Sequence, residues 1–156
     1  LFPPLYMTFC FVFSIICLLS IIKVFIINKN MTNEKKIEWI LRIGVAGEFL
    51  GHGVLAVLKK KDWIGWIEQL TGVDTVTATT LLVVVGVLDI LLAILVLVKP
   101  IKPLLLWMAF WGFWTALVRP LVANPVFSGT SVWDFVERFA NWAAPLALYY
   151  FYKIQK

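Results

Sequence analysis

Glu48 and His52 stand four residues apart in R-I-G-V-A-G-E-F-L-G-H-G-V-L-A-V-L, residues 42–58. On a helix that spacing puts both on one face, where a carboxylate and an imidazole exchange a hydrogen bond. His52 is the only histidine, and Asp89 is the single charge in the apolar run from Thr77 to Val98. Arg119, Glu137 and Asn141 add a guanidinium, a further carboxylate and an amide from two later runs, and Trp111 and Thr115 lie near Arg119 at helical spacing. An ionised side chain at the centre of a membrane helix costs about 2.5–3.5 kcal/mol unless it finds partners. Groups of these types on separate helices therefore suit a polar pocket in an apolar wall. Arg119 is expected to pair with Glu137 or Glu48, and Asp89 to be protonated or hydrogen-bonded. No metal site is expected. There is no C-x-x-C or Cys/His cluster, and Cys10 and Cys17, seven residues apart, would lie about 10 Å apart on a straight helix, too far to bridge.

The elements that must position these groups follow from composition. Of 156 residues, 62% are hydrophobic and 15% charged, against about 45–50% and 25% in soluble domains. The apolar residues fall in long blocks, the mark of an integral membrane protein rather than a soluble enzyme. No G-x-S-x-G, P-loop or H-E-x-x-H motif is present. The net charge of +5 is explained by lysines at membrane borders, so the expected partner is the lipid bilayer and not nucleic acid.

Five apolar runs are legible. Leu5–Ile27 reads as a membrane helix, with neither the basic start nor the A-x-A site of a signal peptide. Met31, followed by T-N-E-K-K, is an alternative start that would place residues 1–30 outside the functional unit and leave 31–156 as the membrane domain. Ile37–Leu58 carries Gly44, Gly47 and Gly51 as a smooth stripe for helix packing, with Arg42 near enough its end to snorkel. Asp62–Leu70 is too short and polar to span, and reads as an interfacial helix with its tryptophans at headgroup level. Asp74 or Thr75 is placed to cap Thr77–Val98. K-P-I-K-P, residues 99–103, is a tight turn, which makes the flanking helices antiparallel neighbours. Leu104–Ala123 has a tryptophan stripe at Trp107, Trp111 and Trp114, and Pro120 should bend or end it. Ser131 is a plausible cap for Val132–Tyr152, whose tyrosines form an interfacial belt. The fold class is all-α: an integral membrane four-helix bundle, with an added N-terminal helix and a short interfacial one. Lysine placement favours a cytoplasmic C-terminus. Ionisable groups on four helices then share the outer half of the membrane and define a pocket that opens outward.

Two stretches carry a family resemblance. Arg42-x-Gly44, with His52-Gly53 ten residues after the arginine, resembles the first helix of DoxX-like membrane proteins. G-V-L-D-I-L-L-A-I-L, residues 86–95, resembles their G-x-x-E stretch with Asp89 in place of the glutamate. The likeness covers roughly residues 37–99. The basic residue that commonly follows H-G is absent, and the C-terminal third departs from the family pattern. The resemblance implies a small four-helix protein of a bacterial-type inner membrane. In some members that fold serves as a quinone-linked oxidoreductase subunit, so quinone is the cofactor it implies. His52, Arg119 and Trp111 would then hold the ring and its carbonyl oxygens, with electrons supplied by a partner or by substrate. A non-catalytic module that assembles a membrane partner or a homo-oligomer is the second expectation. A small transporter or proton path through Glu48, His52 and Asp89 is the third.

Overall fold

The computed structural model describes residues 31–154, which form six helices and, among those residues, no strand. In chain order they are α1 (Asn33–Val57), α2 (Lys61–Thr71), α3 (Thr75–Val98), α4 (Lys102–Val122), α5 (Gly129–Val136) and α6 (Phe139–Ile154). The expected helix over 5–27 and both cysteines lie outside the described residues.

Three helices, α1, α3 and α4, are long and apolar enough to cross a membrane. Their 25, 24 and 21 residues extend about 37, 36 and 31 Å at 1.5 Å per residue, against about 30 Å of hydrocarbon. α3 shows why such helices sit together. Its buried residues are Ala78, Leu82, Gly86, Asp89, Ala93 and Val96, one stripe at the 3.6-residue period, while Val84, Val87, Leu88, Leu91, Ile94 and Leu95 face outward. Asp89 is therefore on the inward stripe, 5% exposed, and not on the lipid side.

Local chemistry sets the helix ends. Thr32 caps α1 by accepting from the Lys35 amide at 3.4 Å. Asp74 caps α3: Oδ2 accepts from the Val76 and Thr77 amides at 3.0 and 3.2 Å, and Oδ1 from the Thr77 hydroxyl at 2.6 Å. Gly72 ends α2 in the left-handed region (φ 71°) with its N–H on the Glu68 carbonyl, a conformation glycine adopts without steric cost. α4 runs two residues past Pro120, which is buried inside it. Two expectations are corrected beyond this point. The last apolar run is not one helix but two, broken by a turn at Glu137–Arg138. The cap of α5 is Ser128, and Ser131 lies within that helix with its hydroxyl on the Ser128 carbonyl.

The packing is sequential in space but not in sequence. α1 lies against α3 in the most extensive contact, α1 also meets α6, and α6 lies along α4. α3 and α4, expected as neighbours across K-P-I-K-P, touch only sparsely. α2 packs against both and bridges the gap between them. A core of Val45, Phe49, Val96, Leu105, Met108 and Leu148 joins α1, α3, α4 and α6.

Glycine matters at the crossings, though not where the sequence stripe suggested. A Cβ at Gly53 would stand 2.7 Å from the Gly86 carbonyl oxygen, and one at Gly86 2.7 Å from that of Gly53. A Cβ at Gly112 would collide with the Asn141 carbonyl. Gly44, Gly47 and Gly51 meet nothing within 4 Å. Residues seven apart stay on one helix face, and in this fold that face of α1 turns away from α3 and α6.

Arg42, expected near enough the helix end to snorkel, is held by side chains of its own helix and of α6. It closes a clasp at the opposite end of α1 from His52: Nη2 lies 2.6 Å from Glu38 Oε1, and Nε and Nη2 donate to the Tyr152 hydroxyl at 2.9 and 2.6 Å. The Tyr152 hydroxyl donates to Glu38, and Arg42 Nη1 reaches the Leu97 carbonyl at 3.5 Å. α1, α3 and α6 are joined there by a network in which each charge has a partner, as burial requires.

Candidate functional site

A cavity of about 450 Å³ lies among the helices. α1 contributes Glu48, Phe49, His52 and Ala56; α3 contributes Leu82, Val85 and Asp89; α4 contributes Trp111, Gly112, Trp114, Thr115 and Val118. Arg138 and Asn141 enter from the start of α6, and α2 closes one side with Trp63, Trp66, Ile67, Leu70 and Thr71. The cavity exists because α3 and α4 stand apart and α2 spans the space between them.

The polar groups form two sets. In the first, His52 Nδ1 lies 3.1 Å from Glu48 Oε1 and 3.1 Å from the Glu48 carbonyl. Arg138 Nη1 donates to His52 Nε2 at 3.3 Å. With the guanidinium donating at Nε2, the ring proton belongs on Nδ1, where Glu48 accepts it. The imidazole stacks on Trp63, centroids 5.5 Å apart and 20° from parallel. In the second set, Asp89 Oδ1 accepts from the Trp111 indole N–H at 3.0 Å. This bond links α3 to α4 across their gap. The Thr115 hydroxyl is spent on the Trp111 and Gly112 carbonyls of its own helix. Among the side chains that line the cavity, Trp63 Nε1 and Arg138 Nε are buried with no hydrogen-bond acceptor among the described residues, and Arg138 Nε lies 3.8 Å from Glu137 Oε1.

Six of the expected residues, Glu48, His52, Asp89, Trp111, Thr115 and Asn141, line this one cavity. Arg119 and Glu137 do not. Arg119 pairs with Asp134 at 3.2 Å and Glu137 at 3.9 Å, and lies over the Trp66 ring at 5.4 Å. The turn at Glu137–Arg138 is the reason. A continuous helix would have put Glu137 and Asn141 on one face, whereas the break turns Arg138 to the cavity and leaves Glu137 61% exposed.

Sequence reasoning missed Arg138 and the whole of α2 as a wall. For Arg138 no local signal existed, since the break lies within an unremarkable E-R-F-A. For α2 one did. Trp63, Trp66, Ile67 and Leu70 recur at i, i+3, i+4, i+7, the pattern of a helix that covers an apolar partner. That helix buries none of its own residues fully. It is tied down by Gln69 donating to the Val122 carbonyl at 3.1 Å, by Arg119 on Trp66, and by the Trp63–His52 stack.

Comparison with protein-family models, with curated proteins and with solved structures finds no match to this chain.

Proposed function

We propose that this chain is an integral membrane binding protein, a four-helix bundle of α1, α3, α4 and α6. Its cavity, in the outward-facing half with the C-terminus cytoplasmic, takes a small ring-bearing amphiphile. One observation carries the reading: six polar or aromatic residues picked from the sequence, on α1, α3, α4 and α6, line a single cavity. Unrelated packing polars have no reason to share one space, and a large apolar pocket with a few convergent polar groups is the usual form of a small-molecule site.

The chemistry of the walls favours a flat ligand. Four indoles line the cavity, and aromatic faces stack on planar rings. Arg138 brings a guanidinium to the wall, a donor suited to an acceptor oxygen. The DoxX-like likeness would make the ligand a quinone and the protein a redox-linked subunit of a bacterial-type inner membrane. A quinone fits this wall in kind: Arg138 would hold one of its oxygens, and it would accept electrons that a partner or substrate supplies.

The test is extraction of the protein purified in mild detergent, followed by mass spectrometry of what elutes. A ring-bearing amphiphile held near one per chain, and lost from His52→Ala, is the expected result. A wild-type protein carrying detergent and bulk lipid alone overturns the reading, and a quinone in the extract would favour the redox version of it.

A second reading, a non-catalytic assembly module, is favoured by the open stripe of Gly44, Gly47 and Gly51 on α1. A partner or second copy that dissociates on Gly47→Leu would support it.

A further inference from the structure

Four ionisable side chains line the cavity: Glu48, His52, Asp89 and Arg138. Three of them satisfy one another. Arg138 donates to one nitrogen of His52 and Glu48 lies against the other, so a cation and an anion are joined across the ring. Asp89 stands outside this run. It is 5% exposed, and its one hydrogen bond is from the neutral indole N–H of Trp111 to Oδ1. Among the described residues no lysine, arginine or histidine pairs with it, and Oδ2 accepts no hydrogen bond.

A buried carboxylate needs either a proton or a positive partner. The surroundings of Asp89 are those of a cation site: it lines the cavity beside Trp111, with Trp114, Trp63 and Trp66 on the other walls. Indole faces attract ammonium groups, most strongly where water is excluded. A dicarbonyl ring would accept from Arg138 but brings no donor for Asp89.

We infer that the cavity binds a lipophilic amine, with its protonated nitrogen donating to Asp89 and its ring lying among the tryptophans. The inference rests on the cavity being a binding site, as argued above, and not on the ligand being a quinone. The ammonium hydrogen bond to Asp89 is charge-assisted and desolvated, the strong kind. Arg138, already engaged by His52, does not compete for that carboxylate.

The test uses a matched pair of probes, 4-phenylbutylamine and 4-phenylbutanol, titrated against the purified chain in nanodiscs of zwitterionic lipid. Tryptophan quenching is the readout, and empty nanodiscs correct for partition into lipid. The wild type is expected to bind the amine at least about tenfold more tightly than the alcohol. Asp89→Asn should erase that difference, and a helical circular dichroism spectrum and thermal midpoint close to those of the wild type show that the variant is folded. Asp89→Glu should retain part of the preference. Equal affinity for the two probes in the wild type, or a preference that survives in Asp89→Asn, overturns the amine assignment and leaves the cavity as a site for neutral ligands. If the wild type binds neither probe, the binding-site reading falls as well.

Discussion

Substitution of Gly86 by alanine should damage the bundle more than any other single added methyl group on α3. The new Cβ would lie 2.7 Å from the Gly53 carbonyl oxygen, 2.8 Å from Ala56 Cβ and 2.9 Å from the Val57 nitrogen. Two of those three atoms are backbone, so no side chain can swing aside. Ordinary contact begins at 3.4 Å, so α1 and α3 must part by roughly 0.7 Å or more locally. Their contact is the most extensive in the molecule, and close-packed interfaces lose dispersion energy steeply with such a gap. Overpacking of this kind costs about 1–3 kcal/mol. The assay is reversible unfolding of the detergent-solubilised protein, followed by circular dichroism. Gly86→Ala should lose about 1–3 kcal/mol, and Gly53→Ala a similar amount, because its Cβ meets the Gly86 oxygen and Ile90. The double variant should cost less than the two single losses together, since helices already parted by one methyl group leave room for the second. Gly47→Ala is the control. Nothing lies within 4 Å of its Cβ, and alanine favours a helix interior by about 1 kcal/mol over glycine, so it should be neutral or stabilising. A Gly86→Ala protein as stable as wild type, or a Gly47→Ala protein as damaged as Gly86→Ala, would refute the assignment of the close crossing.

Two further outcomes follow from the network around Arg42 and from the cap of α3. Tyr152→Phe removes hydrogen bonds to both Arg42 and Glu38 but leaves those two 2.6 Å apart, so equilibrium unfolding should show a loss of about 1–3 kcal/mol. Arg42→Leu leaves the carboxylate of Glu38, whose side chain is 8% exposed, with the Tyr152 hydroxyl but no cation, and should cost about 3–5 kcal/mol; a milder effect than that of Tyr152→Phe would show that the charges are not what holds the clasp. Asp74 titrates below the ordinary carboxylate range, because the Thr77 hydroxyl, followed by the Thr77 and Val76 amides, donates to its ionised form. A folded value below the unfolded one means that the cap acts in full above about pH 4 and is lost as pH falls through the folded value. Thermal melts should therefore show Asp74→Ala less stable than wild type at pH 7, with the gap closing below about pH 4; a gap independent of pH would sink the argument.

Much of the architecture was legible because lipid leaves few choices. Blocks of some twenty apolar residues must be helices, since every backbone group has to be satisfied within its own segment. That alone predicts α1, α3 and α4 to within a few residues. Caps obey local rules as well, and Asp74 lies where its side chain can reach the amides two and three residues on. The i, i+4 pairing of Glu48 with His52 and the inward placement of Asp89 follow from helical period and from the cost of charge in hydrocarbon. Six residues of the cavity wall were accessible by that reasoning.

Where helices meet is another matter, because it depends on surfaces distant in sequence. Gly53 and Gly86 are 33 positions apart, and nothing in either segment alone says that they touch; the more regular stripe of Gly44, Gly47 and Gly51 turned out to face open space. The Glu38–Arg42–Tyr152 clasp spans 114 positions and has no local signature. The turn at Glu137–Arg138 exchanged which of two adjacent residues reaches the cavity, a one-residue change of about 100° on a helix. The sparse contact of α3 with α4, bridged by α2, is what opens the cavity at all. Periodicity and transfer energy are properties of a segment and can be read from it, whereas the relative placement of segments is set by side chains meeting across space.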